Sequence, residues 1–133
     1  MSREDLELIL IVEDNERNLR LVRDLLQAHG FATIEAQNAH TGLAIAAARK
    51  PALILMDIQL PDLDGIAALR RLRSDSGTAS TVVVALTAFA MSADRQRFLD
   101  AGFDDYVEKP IDVKTFPAHV RALLRRRVPD VPV

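Results

Sequence analysis

The amino-acid sequence predicts an α/β fold: a doubly wound sandwich built on a five-stranded parallel sheet. Short apolar runs alternate with helical patterns five times along the chain. This alternation favours parallel strands joined by right-handed crossovers. Three of the apolar runs are almost continuous, which is typical of strands buried on both faces. With 133 residues, of which 49% are hydrophobic, the chain has the size and composition of one domain with a full core.

The first half of the chain contains three strand-like and two helix-like segments. Leu19, Val22 and Leu26 recur at three- and four-residue spacing, which indicates an amphipathic helix that ends at Gly30. Pro51 follows the second helical pattern and prevents its continuation. We predict strands at residues 8–12, 32–35 and 52–56, and helices at residues 15–29 and 39–49.

The second half repeats the alternation. Ile66, Leu69 and Leu72 share one face of a third helix, and Gly102 closes a fourth. Pro117 lies in the first turns of the last helix, where a missing backbone N–H is tolerated. We predict helices at residues 65–73, 92–101 and 113–127, and strands at residues 82–86 and 105–107. Residues 1–127 then form one domain, and residues 128–133 a flexible C-terminal tail.

Composition excludes several classes of function. The net charge of −2 is too small to suggest a nucleic-acid-binding protein. The absence of cysteine excludes disulfides and thiolate metal sites. Only five consecutive apolar residues follow the charged N-terminus, fewer than a signal peptide or a membrane-spanning helix needs. We therefore expect a cytoplasmic protein with neither a nucleic-acid nor a membrane partner.

Polar residues follow four of the predicted strands at the point where each strand ends. Glu13 and Asp14 come after the first, Asp57 after the third, Thr87 after the fourth, and Lys109 just after the fifth. Open α/β sheets bind their ligands at the carboxyl ends of the strands. A hydroxyl and an ammonium are suitable donors to the oxygens of a phosphoryl group. Together with three acids they are the parts of a phosphoryl-transfer site.

The acids predict a cation. If the first and third strands are neighbours, Glu13, Asp14 and Asp57 share one cleft, where two carboxylates ~4 Å apart repel by ~4 kcal/mol. Oxygen ligands without histidine favour Mg²⁺ or Mn²⁺. Pro61 stiffens the following loop, so that the Gln59 carbonyl can reach the same ion. When the bound cation neutralises the neighbouring carboxylates, the Asp57 carboxylate can attack phosphorus.

Each of these residues also has a plainer interpretation. Asp14 or Asn15 could cap the first helix, and Asp57 and Thr87 could cap later ones. Lys109 could be a solvated loop lysine. Taken singly, these interpretations are at least as good as the functional ones. Their joint occurrence at four strand ends favours a site.

Four motifs, taken in order, resemble the receiver domain of two-component response regulators. They are LILIVEDN at 8–15, LILMDIQLPDLDG at 53–65, VVVALTAFA at 82–90 and DYVEKPI at 105–111. The resemblance covers about residues 8–126 and is closest to stand-alone, DivK-like cell-cycle receivers, with CheY more distant. It implies a flavodoxin-like (βα)5 fold of CheY type with strand order 2-1-3-4-5.

The resemblance also implies a role for each matching residue. Asp57 would be the phosphoacceptor, Thr87 the switch hydroxyl and Lys109 the phosphate-binding lysine. The remaining implied roles are a Mg²⁺ site formed by Glu13, Asp14, Asp57 and the Gln59 carbonyl, a cis peptide bond before Pro110, and an aromatic switch at Tyr106. From the residues alone, Tyr106 could equally be a half-buried aromatic on an edge strand.

The implied function is that of a signalling switch in a phosphorelay. A sensor histidine kinase or histidine phosphotransfer protein would donate to Asp57, and the face formed by the fourth helix, fifth strand and fifth helix would bind a downstream protein. The switch would catalyse its own phosphorylation and dephosphorylation without being an enzyme for external substrates. We expect a monomer, with a dimer as the alternative. A phosphate shuttle, or a flavodoxin-like binding module that is not phosphorylated, are alternative functions.

Overall fold

The computed structural model describes residues 7–88 and 92–126. Strands and helices alternate throughout this part of the chain, as the sequence predicts. In chain order the elements are β1 (Leu8–Val12), α1 (Glu16–Ala28), β2 (Ala32–Ala36), α2 (Ala39–Arg49), β3 (Leu53–Asp57), α3 (Gly65–Ser74), β4 (Val82–Thr87), α4 (Ser92–Ala101), β5 (Asp105–Glu108) and α5 (Phe116–Arg126).

All neighbouring strands of the sheet are parallel, and their order is β2-β1-β3-β4-β5. This order confirms the predicted topology. The register pairs Val12 with Met56 and Asp57 with Leu86, while Thr87 pairs with Glu108. The carboxyl ends of β1, β3, β4 and β5 are therefore level with one another. Residues that end these strands meet along one edge of the sheet.

The core has two layers, one on each face of the sheet. Ile9 and Ile11 of β1 belong to the layer that includes α1 and α5, whereas Leu10 and Val12 belong to the layer that includes α2, α3 and α4. This alternation follows from the two-residue period of a strand. Every residue of β3 and β4 is buried. Burial on both faces explains why these strands are continuous apolar runs.

The strand-to-helix loops use Asn and Asp side chains as caps. Asn15 accepts a hydrogen bond from the Asn18 N–H at 3.0 Å and so begins α1. Asn38 caps α2 in the same way, and Asp64 caps α3. These side chains satisfy helix N–H groups that have no partner within the helix. Since Asp64 caps α3, the capping interpretation of Asp57 is wrong.

The C-terminal helix begins later than the sequence predicts. Residues 113–115 form a turn, and α5 starts at Phe116. Asp112 begins this turn: its side chain accepts a hydrogen bond from the Lys114 N–H at 2.9 Å, and its carbonyl accepts from the N–H groups of Thr115 and Phe116, at 3.3 and 3.0 Å. The turn therefore leads directly into α5. The predicted end of the helix at residue 127 and the predicted tail at residues 128–133 lie outside the described residues.

Candidate functional site

The polar residues that the sequence places at strand ends do come together. Asp57 and Thr87 are the last residues of β3 and β4. The sequence predicts that these strands end one residue earlier, so that both residues would lie just beyond them. Glu13 and Asp14 directly follow β1. Glu13, Asp57 and Thr87 are buried, whereas Asp14 is exposed. The result is a small acidic cleft with a buried floor and one exposed side.

Lys109 crosses this cleft. Its Nζ donates a hydrogen bond to Asp57 Oδ2 at 2.8 Å and lies 2.8 Å from Glu13 Oε1. Burial lowers the pKa of the Lys109 ammonium, but its contacts with the Asp57 and Glu13 carboxylates outweigh this effect and raise the pKa overall. The Lys109 N–H also donates to the Thr87 carbonyl at 2.8 Å, and the Lys109–Pro110 peptide bond is cis. Lys109 is therefore not a solvated loop lysine.

Glu13 is the most unusual carboxylate of the cleft because its side chain is fully buried. Burial, followed by the neighbouring Asp57 carboxylate, raises the pKa of Glu13 to about 7, against the opposing effect of Lys109. Its Oε2 accepts a hydrogen bond from the Asn15 N–H at 3.2 Å. Its Oε1 contacts the ammonium but has no partner in hydrogen-bond geometry within residues 7–88 and 92–126. A fully buried carboxylate needs compensating positive charge, which Lys109 supplies in part and a bound cation would complete.

Three carboxylates of the cleft can reach a single ion. Glu13, Asp14 and Asp57 each offer an oxygen, and these oxygens lie within 4.8 Å of one another. Oxygen-only donors suit a hard divalent cation, and the exposed side at Asp14 leaves room for water ligands. The Gln59 N–H donates to Asp57 Oδ1 at 2.9 Å, so both Asp57 oxygens are held in place. These residues therefore fit a Mg²⁺ ion.

The loop between β3 and α3 is anchored by a residue that the sequence analysis did not identify. Asp62 accepts hydrogen bonds from the backbone N–H groups of Ala39 and His40, at 2.8 and 2.9 Å, and also contacts the His40 ring. The backbone N–H of His40 makes the largest contribution to lowering the pKa of the Asp62 carboxyl. Asp62 thus ties the loop after Asp57 to the start of α2. No local pattern signals this contact, because its two ends are 23 residues apart.

Thr87 and Tyr106 lie on adjacent strands at the same end of the sheet. Helix α4 begins at Ser92, five residues beyond Thr87. Tyr106 is half-buried and packs against the core layer that includes α2, α3 and α4. The Arg95 guanidinium lies over its ring, 5.1 Å from the centroid. Tyr106 therefore joins β5 to α4.

The five-stranded fold and this acidic cleft define the receiver class of two-component signalling. The chain matches the response regulator receiver domain over residues 9–121, and it belongs to that family. It is 41% identical to the polar-differentiation response regulator DivK of Brucella anthropi over 116 residues, which cover 87% of this chain and 94% of that protein. It is 40% identical to DivK of Brucella ovis over the same length.

Solved structures confirm the predicted fold class. The CheY-like receiver domain protein of Methanospirillum hungatei superposes with a TM-score of 0.84 at 27% identity, covering 92% of this chain and 97% of that one. The receiver domain of sensor histidine kinase PA1611 from Pseudomonas aeruginosa has a TM-score of 0.79 at 32% identity, covering 91% and 96% of the two chains. That structure holds a magnesium ion in its active-site cleft. In the described part of our chain, no helix has the length and apolar character needed to cross a membrane.

Proposed function

We propose that this protein is a response regulator that accepts a phosphoryl group from phosphohistidine onto Asp57 and then changes its protein contacts. The observation that carries the proposal is the contact of Asp57 Oδ2 with Lys109 Nζ inside a cleft of three carboxylates. A lone buried aspartate would be poorly solvated, but here an ammonium lies beside Asp57, and two further carboxylates could share a cation with it. The donor would be a sensor histidine kinase or a histidine phosphotransfer protein in the cytoplasm.

The transfer step is a displacement at phosphorus. An oxygen of the Asp57 carboxylate forms the new bond to phosphorus while the phosphorus–nitrogen bond of the donor breaks. The donor imidazole leaves with the bonding electron pair. Lys109 stabilises the negative charge on the transferred group because its ammonium already lies 2.8 Å from Asp57.

The acids beside Asp57 would hold Mg²⁺, through the carboxylates of Glu13, Asp14 and Asp57 and the carbonyl of Gln59. When bound, the ion supplies positive charge that offsets these carboxylates and the phosphoryl oxygens. Glu13 matters most for the fit since its carboxylate is fully buried and, among the described residues, its Oε1 contacts the Lys109 ammonium but makes no bond in hydrogen-bond geometry. Asp14, on the exposed side, allows an ion to enter from solvent.

The switch would follow from the new charge. A phosphoryl group on Asp57 brings about two negative charges, and Thr87 and Lys109 would donate hydrogen bonds to its oxygens. Thr87 ends the strand next to β5, which carries Tyr106. A movement of Thr87 towards the phosphoryl group would favour a new orientation of Tyr106. The surface formed by α4, β5 and α5 would then bind a downstream protein, and hydrolysis would reset it.

The test is the mass of the intact protein after incubation with acetyl phosphate and Mg²⁺. We expect one added phosphoryl group on the wild type and none on Asp57→Asn or on a sample treated with EDTA. Asp75→Asn is the matched control because Asp75 is an exposed aspartate remote from the cleft; it should retain the adduct. An unmodified wild type, or an adduct that persists in Asp57→Asn, would overturn the proposal.

A further inference from the structure

Arg95 and Tyr106 form a cation–π contact on the proposed output surface. The Arg95 guanidinium lies 5.1 Å from the ring centroid, within the ~6 Å at which such contacts are attractive. Arg95 is exposed on α4 and Tyr106 is half-buried on β5. Among residues 7–88 and 92–126, no carboxylate forms an ion pair with Arg95. The tyrosine ring is thus its principal partner.

The contact is specific to one orientation of the ring. A guanidinium is attracted to the face of an aromatic ring, where the quadrupole is negative, and the attraction is lost when the ring turns away. Arg95 reaches the ring from α4, whereas Asp57 ends β3, so the contact acts on Tyr106 from a different element than the phosphoacceptor. It therefore contributes to the equilibrium between ring orientations without belonging to the phosphorylation site.

We propose that Arg95 is a positioning residue that stabilises the Tyr106 orientation seen in the structure and so opposes the switch. This inference rests on the proposed function, in which Tyr106 reorients when Asp57 is phosphorylated. An exposed cation–π contact shifts such an equilibrium by about two- to five-fold. Because the contact lowers the population of the switched state, a ligand that binds only that state has a higher apparent Kd.

The same helix provides a matched control. The Arg97 guanidinium lies 5.3 Å from the ring centroid of Phe98. Phe98 is fully buried and packs edge-to-face against Phe103, so its ring is fixed by the core. Removing Arg97 therefore removes the same charge from α4, and also a cation–π contact, without affecting a ring that is proposed to move.

The experiment measures the affinity for beryllofluoride, a phosphoryl mimic, by calorimetry in the presence of Mg²⁺. We expect Arg95→Ala to lower the apparent Kd by about two- to five-fold, Arg97→Ala to leave it unchanged, and Arg95→Lys to lie between Arg95→Ala and wild type. In a Tyr106→Ala background, Arg95→Ala should have no further effect, because its action passes through the ring. Circular dichroism of each variant checks that the fold is retained.

Tyrosine fluorescence gives a second readout. The chain has one tyrosine and no tryptophan, so its intrinsic emission reports on Tyr106. Arg95→Ala should change this emission before any ligand is added, whereas Arg97→Ala should not. If wild type binds beryllofluoride and Arg95→Ala binds it equally well, the inference is overturned and the proposed function stands. If wild type does not bind at all, the proposed function fails and the inference fails with it.

Discussion

Lys109 Nζ lies 2.8 Å from Asp57 Oδ2, a contact that joins the end of β3 to the residue after β5 across 52 positions of sequence. The same ammonium is 2.8 Å from Glu13 Oε1. One cation is thus shared by two buried carboxylates, and Asp14 adds a third acid beside them. The cleft carries more negative than positive charge. That excess of negative charge makes the cleft suitable for a divalent cation. It also means that a neutral residue in place of Lys109 would remove the positive charge shared by Glu13 and Asp57.

Replacing Lys109 with Ala should slow phosphorylation. The ammonium is the only protein cation in contact with Asp57 within the described residues. Loss of one preorganised charge-stabilising group typically lowers a rate by about 10²–10³-fold. The rate of adduct formation from acetyl phosphate, followed by mass, measures the effect. Lys114→Ala is the control since Lys114 is exposed in the turn before α5. Equal rates for wild type and Lys109→Ala would contradict the prediction.

Binding of Mg²⁺ should raise the melting temperature, and EDTA should reverse the change. A ligand at 100 times its Kd stabilises the folded state by about 2.7 kcal/mol, which for a domain of this size corresponds to a shift of several degrees. Asp14→Asn should reduce the shift because it removes one of the three carboxylates. Asp14 is exposed, so the substitution leaves the core intact. A full shift in Asp14→Asn would show that the ion binds elsewhere.

The sequence was sufficient to predict the sheet and the position of the cleft. The apolar runs of β1, β3 and β4 are buried strands, and the topology of parallel strands brings their carboxyl ends to one edge. Asp57, Thr87 and Lys109 could be placed together for that reason alone. The error of one residue at the ends of β3 and β4 has a simple cause: a polar residue can pair as the last member of a strand, and hydrophobicity does not reveal this.

Contacts between distant loops could not be predicted. The Arg73 guanidinium of α3 donates to the carbonyls of Ala79, Thr81 and Gly102, at 3.0, 2.6 and 3.0 Å, and to Asp104 Oδ2 at 2.9 Å. It joins the end of α3 to two loops, the one before β4 and the one before β5, at the end of the sheet opposite the cleft. In the sequence, Arg73 is one arginine among several on an amphipathic helix. Its role depends on the relative positions of α3, β4 and β5, which no local pattern encodes.

Asp62 should make stability depend on pH in the acidic range. Its hydrogen bonds lower the pKa of the folded carboxyl below the ordinary value of 3.8. The folded state therefore favours the ionised form, and the resulting stability is present above about pH 4 and lost as pH falls towards the lower folded pKa. Asp62→Asn should remove this part of the pH dependence, as measured by urea unfolding at several pH values.

The control for Asp62 is Asn38→Ala, which removes a cap of the same helix that does not titrate. Asn38 accepts a hydrogen bond from the Thr41 N–H at 2.8 Å. Its loss should reduce stability by about 1 kcal/mol at every pH. A change in slope for Asn38→Ala, or an unchanged slope for Asp62→Asn, would contradict the assignment.

Gly65 should be required for the position of Asp57. A Cβ at this residue would lie 2.8 Å from Ile58 Cα and 3.0 Å from the Asp57 carbonyl oxygen. Both are backbone atoms, so the strand end itself must move. Gly65→Ala should cost about 1–3 kcal/mol of stability and slow phosphorylation, because small displacements of a reacting group reduce rates strongly.

Gly77→Ala is the matched control for this effect. A Cβ at Gly77 would meet Lys50 Nζ at 3.3 Å, the mobile end of a long side chain that can move aside. We expect stability within about 0.5 kcal/mol of wild type, as for most surface substitutions, and an unchanged rate of phosphorylation. If Gly65→Ala lowered stability but kept the wild-type rate, the position of Asp57 would not depend on this close contact. A fall in the rate beyond what the unfolded fraction explains would show that the glycine acts on the cleft, since lost stability alone removes only the molecules that unfold.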